Sequence, residues 1–215
     1  MIRRSVSRLK IWAGHAIFER SGVDTYGTVY LDRFGLASPE RTEYTPSGWF
    51  YVARGLRGAP ITADDTFVDF GAGKGRVVIV VARRYRFGRV IGVEISPELV
   101  ATGVENLERV RHTLRARDVE LVACDAAAFA VPDDMTYAYF YNPFSGHTFE
   151  RVLQNIVASL ERRPRRLRLI YANPDNRLTG PRTCEEAILA TGRFELERRS
   201  RGIPRRSHIS VYVGG

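Results

Sequence analysis

From Thr66 to Tyr171 the sequence alternates short apolar runs with longer stretches of helical spacing, and this alternation restricts the fold more than any other feature. Thr66–Phe70 (TFVDF), Arg89–Glu94 (RVIGVE), Val119–Cys124, Met135–Tyr141 and Arg166–Tyr171 read as strands. Lys74–Tyr85, with Val77, Val78, Val81 and Ala82 on one face, reads as a helix. So do a segment from Pro97 to about Leu114 and the stretch Thr148–Leu160. Pro97 suits a first helical turn, where its missing N–H costs nothing. Cys184–Ala190 adds a helix, and Phe194–Arg199 with His208–Val213 reads as a closing strand pair. Strands separated by helices pair in parallel through right-handed crossovers, so a single doubly wound α/β domain is expected. Residues 61–215 are assigned to it. Residues 1–60, with the turn-rich stretches SGVDTYG and SPERTEYTPSG, form an N-terminal extension or lid. Ile2, Val6, Leu9, Ala13, Ala16 and Ile17 fall near helical spacing, which predicts an amphipathic helix packed on the domain or docked on a membrane surface or partner.

Composition removes several classes. At 44% hydrophobic the chain can build a core. No apolar run approaches the roughly 18 residues of a membrane span, and the basic N-terminus lacks the pattern of a secretory signal. A cytoplasmic protein with no integral membrane segment is the expectation. The two cysteines, Cys124 and Cys184, and the four histidines show no metal-ligand spacing. The net charge is +9, yet Lys10 and Lys74 are the only lysines. That skew fits an arginine-rich codon composition; an anionic acceptor or a nucleic-acid partner is the competing reading.

The site-forming signal begins at VDFGAGKGR, Val68–Arg76. A strand ends in an acid, a Gly-x-Gly-x-Gly turn follows, and a helix starts. Gly71, Gly73 and Gly75 let the backbone bend and approach a ligand, and the helix N-terminus offers free N–H groups. Dinucleotide enzymes use a similar turn, but with the third glycine one residue later. Asp69, before Phe70 and the turn, would repel a pyrophosphate and attract a positively charged sulfur or an α-amino group. Glu94, in IGVEIS with Ile95 beside it, ends the second strand and can accept from both hydroxyls of a ribose. Asp125, in ACDAAAF, ends the third and suits an adenine amino group, with the Ala126 N–H for a ring nitrogen. Open α/β sheets bind ligands at this strand edge.

The order VDFGAGKGR, VIGVEIS, ACDA, YNPF resembles the motifs of class I S-adenosylmethionine-dependent methyltransferases, over about Thr66 to Phe144. The resemblance implies a Rossmann-like three-layer sandwich around a seven-stranded, mostly parallel sheet of order 3-2-1-4-5-7-6. It implies S-adenosylmethionine as cofactor, held by Asp69, Phe70, Gly71, Ala72, Gly73 and Gly75, by Glu94 and Ile95, and by Asp125, Ala126 and Asn142. GVDTYG, EYTPSGW and the YNPF segment look like a group of small bacterial methyltransferases. Tyr44–Ser47 with the glycine loop is also similar to Dot1-type enzymes, a local likeness that assigns no substrate. FYNPF, Phe140–Phe144, resembles the Asn-Pro-Pro-Tyr/Phe loop of amino-group methyltransferases, with one proline missing.

By that analogy Asn142 orients an amine, with Tyr141, Pro143 and Phe144 as substrate walls, or the loop only shapes the cofactor's surroundings. Tyr44 is the second catalytic candidate, covering the cofactor or lining the entrance, or else anchoring the extension. Arg198, Arg199, Arg201, Arg205 and Arg206 fall in the closing hairpin, which the topology puts at the strand C-terminal edge. Arg201 and Arg205 are the candidates for an anionic substrate, and a solvated hairpin is the alternative. The expected function is methyl transfer to an unassigned acceptor, nitrogen favoured over oxygen. The competing readings are a catalytically silent binder of S-adenosylmethionine or RNA, and a nucleotide-dependent oxidoreductase.

Overall fold

The computed structural model describes residues 22–173, 183–202 and 207–215. The expected helix in residues 1–17 lies outside them, as do Arg205 and Arg206. Seven strands form one sheet in the order β3-β2-β1-β4-β5-β7-β6. They are β1 Thr66–Phe70, β2 Arg89–Glu94, β3 Asp118–Ala123, β4 Met135–Phe140, β5 Leu167–Asn173, β6 Phe194–Arg201 and β7 His208–Gly214. The pairs β1–β2, β1–β4, β2–β3 and β4–β5 are parallel, while β7 runs antiparallel to both β5 and β6. Five helices flank it: α1 Trp49–Gly55, α2 Arg76–Arg84, α3 Pro97–Val110, α4 Gly146–Arg162 and α5 Cys184–Ala190. The expected order and strand directions are those observed.

Strand alternation sorts side chains onto two cores, one per face of the sheet. On one face Phe67, Val90, Tyr137, Tyr139, Ile170 and Val211 meet α1, α2 and α3. On the other Val68, Phe70, Ile91, Ala138, Phe140 and Leu169 meet α4 and α5. Phe70 and Phe140 are neighbours across β1 and β4, and their rings stack at 4.8 Å. Side chains of this kind each contribute roughly 1.5–3 kcal/mol when fully buried. β1 is buried along its whole length, as a central parallel strand covered on both faces must be.

Helix starts follow local chemistry. Ser96 caps α3 by accepting from the Leu99 N–H at 3.3 Å, with Pro97 in the first turn. Thr183 and Glu186 close a capping box at α5. α4 starts at Gly146, two positions before the sequence spacing suggests, because Glu40 from the extension supplies its cap. Glu40 Oε1 accepts from the His147 N–H, and Oε2 accepts from the Thr148 N–H, both at 2.9 Å. The extension also holds a 3-10 turn at Leu31–Phe34 and the short helix α1. Its remaining backbone crosses the C-terminal edge of the sheet as a strap.

Candidate active site

The glycine turn is fastened to the neighbouring strand first. Gly71 and Ala72 both donate their N–H to the Val93 carbonyl, at 2.8 and 2.9 Å. That fold brings Glu94 against the turn, where its carboxylate accepts from the Gly73 N–H at 2.9 Å and the Ser96 N–H at 3.0 Å. A carboxylate has about four acceptor positions, so capacity remains on the cavity side. Burial pushes the Glu94 carboxyl up, and the N–H donors of Ser96, Gly73 and Ile95 pull it back.

Asp69 is 2% exposed and, among the described residues, receives no hydrogen-bond donor. Burial, and then the nearby charge of Glu94, push its carboxyl well above the usual carboxylate range. A cation placed beside such a buried carboxyl favours its ionised form. Asp125 behaves differently. Its Oδ1 accepts from the Ala127 N–H at 2.9 Å, and its Oδ2 accepts from Arg41 Nη2 at 2.9 Å.

The acceptor-side loop carries an unusual backbone. Asn142 has φ 47, the only non-glycine residue with positive φ among those described. Asparagine tolerates that region better than bulkier residues do. The Tyr171 hydroxyl donates to Asn142 Oδ1 at 2.9 Å, which orients the amide and leaves one lone pair on that oxygen. Thr42 Oγ1 lies 3.0 Å from the carbonyl oxygens of both Asn142 and Pro143, and the Thr42 N–H donates to Pro143 O at 3.1 Å. Pro143 packs on the glycine turn so closely that a Cβ at Gly71 would lie 2.4 Å from the proline Cβ.

Tyr44 covers the same turn from the strap. A Cβ at Gly73, φ 54, would fall 2.2 Å from the Tyr44 ring. The Tyr44 hydroxyl donates to Thr25 O at 2.7 Å, and Arg76 Nε donates to Thr25 Oγ1 at 2.9 Å. Lys74 Nζ reaches both carboxylate oxygens of Asp24, at 3.0 and 3.1 Å. Asp24 and Thr25, of the GVDTYG stretch, thus fasten the strap beside the glycine turn.

These pieces enclose a cavity of about 600 Å³, within the range of small-molecule sites. Of the residues picked from sequence, Asp69, Gly71, Ala72, Glu94, Ile95, Asp125 and Ala126 line it. So do Tyr44, Tyr141, Asn142, Pro143 and Phe144. Phe70, Gly73 and Gly75 are not lining residues; Phe70 belongs to the core under α4, and the two glycines shape the turn behind the wall. Sequence reasoning missed Arg41, Thr42, Glu43, Thr28 and Tyr30, all before β1, where only Tyr44–Ser47 carried a recognisable pattern; of that segment Tyr44 and Ser47 do line the cavity. Four acids (Glu43, Asp69, Glu94, Asp125) line the cavity against two arginines, Arg41 and Arg76. A chain of net charge +9 has therefore placed an excess of carboxylates at this one concavity.

The arginine hairpin is at the expected edge, since His208 at its base pairs with Asn173 at the end of β5. Its described residues are not among those lining the cavity, and β7 and β6 stand beyond β5. Arg198 donates to the carbonyls of Arg54, Gly55 and Arg57 at the end of α1. Arg199 pairs with Glu185 at 2.9 Å. Arg201 is exposed and is not among the lining residues. Among the described residues no group of His, Cys, Asp and Glu is arranged to hold a metal ion, and no helix is long and apolar enough to cross a membrane.

Comparison with known proteins agrees with this geometry. A methyltransferase domain model matches residues 67–163. A protein-lysine N-methyltransferase of Saccharolobus islandicus is 34% identical over 77 residues, 36% of this chain and 48% of the relative. The chain thus aligns with about half the length of that curated relative. An RNA methyltransferase from Salinibacter ruber, solved with S-adenosyl-L-homocysteine, superposes with TM-score 0.56 at 22% identity. That match covers 79% of this chain and 93% of the other. Magnesium protoporphyrin IX methyltransferase from Synechocystis PCC 6803, solved with S-adenosylmethionine, gives TM-score 0.54 at 16% identity, covering 76% of each chain. A precorrin 8w decarboxylase from Methanobacterium thermoautotrophicum gives 0.58 at 22%, covering 80% and 92%. The sheet order and the glycine turn agree with the family match: residues 67–163 match a methyltransferase domain model and sit in the fold of S-adenosylmethionine-dependent methyltransferases.

Proposed function

We propose that this protein transfers a methyl group from S-adenosylmethionine to a nitrogen acceptor, with residues before 61 acting as the cover of the site. The observation that carries the reading is the convergence of Asp69, Glu94 and Asp125 on one cavity behind a glycine turn. The cofactor, when bound, supplies a methyl group on a positively charged sulfur. Asp69, buried and without a donor among the described residues, fits the cationic end of such a molecule. Glu94 has acceptor capacity for the ribose, and Asp125 sits at the strand end that suits the base. Tyr44 and Pro143 close over the turn and keep water from the reacting atoms.

Three supports favour nitrogen. The lining carries more acids than arginines, which attracts an amine in its charged form. Asn142 keeps a carbonyl lone pair for an N–H donor, although Tyr171 already holds the other. The curated relative is a protein-lysine N-methyltransferase. The amine attacks as its free base, its proton having passed to solvent before the site closes, and the chain's part is to align the nitrogen with the methyl carbon.

Titration calorimetry with S-adenosylmethionine, S-adenosylhomocysteine and NAD tests the cofactor reading. Equal or tighter binding of NAD would reverse it in favour of a nucleotide-dependent oxidoreductase. Incubation with methyl-labelled cofactor and a lysate separated into protein, RNA and small molecules tests turnover. Label on amine nitrogens is expected; label in no fraction would favour a silent binder.

A further inference from the structure

We propose that Arg41, supplied by the strap, is a positioning residue that makes the base end of the cavity selective for a 6-aminopurine. The inference rests on the cofactor reading above and deepens it at the Asp125 subsite. Arg41 Nη2 donates to Asp125 Oδ2 at 2.9 Å, and its Nη1 donates to Leu36 O at 3.3 Å. The guanidinium is therefore fixed at both ends. The Ala127 N–H holds the other Asp125 oxygen at 2.9 Å. With one donor on each oxygen the carboxylate cannot rotate freely, and the lone pairs left over are directed by the protein rather than by the ligand.

The pair belongs to the cavity wall. Both residues line it, with side-chain exposures of 23% for Arg41 and 38% for Asp125. The arginine stays in place because the residues beside it are pinned. Glu40 caps α4, the Ser145 N–H donates to Glu40 O at 2.8 Å, and Thr42 binds the Asn142–Pro143 carbonyls. The Arg41 N–H itself donates to Ser38 O at 3.0 Å.

Two consequences follow for a purine seated against Asp125. Arg41 holds the acceptor-only carboxylate in one orientation, so that a remaining lone pair is aimed at an exocyclic N–H. A carbonyl oxygen at the same ring position meets a fixed carboxylate and is repelled. Without Arg41 the carboxylate can turn, and the aimed lone pair that favours an exocyclic N–H over a carbonyl is lost. Selectivity for amino over oxo would then fall even where overall binding survives.

The test measures affinity for S-adenosylhomocysteine and its 6-oxo analogue, S-inosylhomocysteine, in wild type, Arg41→Ala, Arg41→Lys, Asp125→Ala and Arg41→Ala/Asp125→Ala. Folding is checked by circular dichroism. Wild type should prefer the amino ligand by more than about tenfold. Arg41→Ala should weaken the amino ligand by about tenfold and change the oxo ligand less, so the ratio collapses. Arg41→Lys should recover part of the ratio, and the double variant should be no worse than Asp125→Ala. Equal losses for both ligands in Arg41→Ala would overturn the proposal and leave Arg41 a structural tie. Tighter binding of the amino ligand in Arg41→Ala would also overturn it, because the ion pair would then be competing with the base. An unchanged ratio in Asp125→Ala would remove the base contact from Asp125, and the proposal with it, while the cofactor reading stands. No binding of S-adenosylhomocysteine by wild type would end both.

Discussion

The sheet edge and the strap face the same cavity, but their residues arrive there by different physics. At the edge, local rules are enough. A strand that ends in an acid delivers it to the rim, and parallel neighbours deliver Asp69, Glu94 and Asp125 side by side. In the strap the contacts that build the site are distant ones. Arg41 meets an acid 84 positions away, Thr42 a carbonyl 100 positions away, and Glu40 a helix start 108 positions away. The residues proposed to hold the cofactor are the locally specified ones, and the residue proposed to select the ligand is set by distant partners.

The largest effects should come from the edge. Asp69→Ala and Glu94→Ala should each loosen S-adenosylmethionine by more than about tenfold, ~1.4 kcal/mol or more, in titration calorimetry. Normal affinity in both folded variants would break the comparison at its stronger side. Asp69 also sets a pH signature. Burial first, and Glu94 second, raise its carboxyl in the free protein, while a cation beside it favours the ionised form. Binding should therefore expel a proton and tighten as pH rises through the free-state value of Asp69. Calorimetry in buffers of different ionisation enthalpy should register that proton; no buffer dependence would count against a cation at Asp69.

A smaller effect tests the seam between the two regions. Gly73→Ala puts a Cβ into the Tyr44 ring and strains a backbone at φ 54. It should cost about 2 kcal/mol in urea denaturation. Combining it with Tyr44→Ala should return the steric part and leave the backbone part. Strict additivity would mean that the strap does not press on the turn.

The smallest effect belongs to the strap alone. Glu40→Gln should cost about 0.5 kcal/mol at neutral pH, since the group is largely solvated. Donation from the Thr148 hydroxyl and from the Thr148 and His147 N–H groups holds the Glu40 carboxyl below the ordinary range. Its contribution is therefore present above the unfolded-state value and lost as pH falls through the folded one. Wild type and variant should converge in acid; a gap that persists there would point to packing instead of charge.

What could be read from the sequence follows the same division. β1 and β2 run over the residues that the apolar pattern marks, because a central parallel strand is a continuous apolar run. α4 begins early because its cap comes from Glu40, which no local pattern links to His147. α1 was not legible at all. It has seven residues, too few for a period to emerge, and its last carbonyls are satisfied by Arg198 from β6. The arginine hairpin was placed at the right edge by topology, but topology does not say which guanidiniums are already committed. Arg198 and Arg199 are, to backbone carbonyls and to Glu185. Asn142 was picked by analogy with a loop, and its partner Tyr171, a strand away, could not be.

The roof over the cavity is the earliest-made part of the described chain, and its fastenings come about a hundred residues later. Residues 22–48 emerge in synthesis before Asn142, Pro143 or Thr148 exist. The neighbouring helix α1 waits longer still, for Arg198 and for the Ser207 hydroxyl that lies 3.1 Å from Tyr51. Early segments that must wait for late partners pay loop-closure entropy before any contact repays it. The cavity thus has a floor that can assemble from nearest neighbours and a ceiling that closes only once the partners from Asp125 to Thr148 are present.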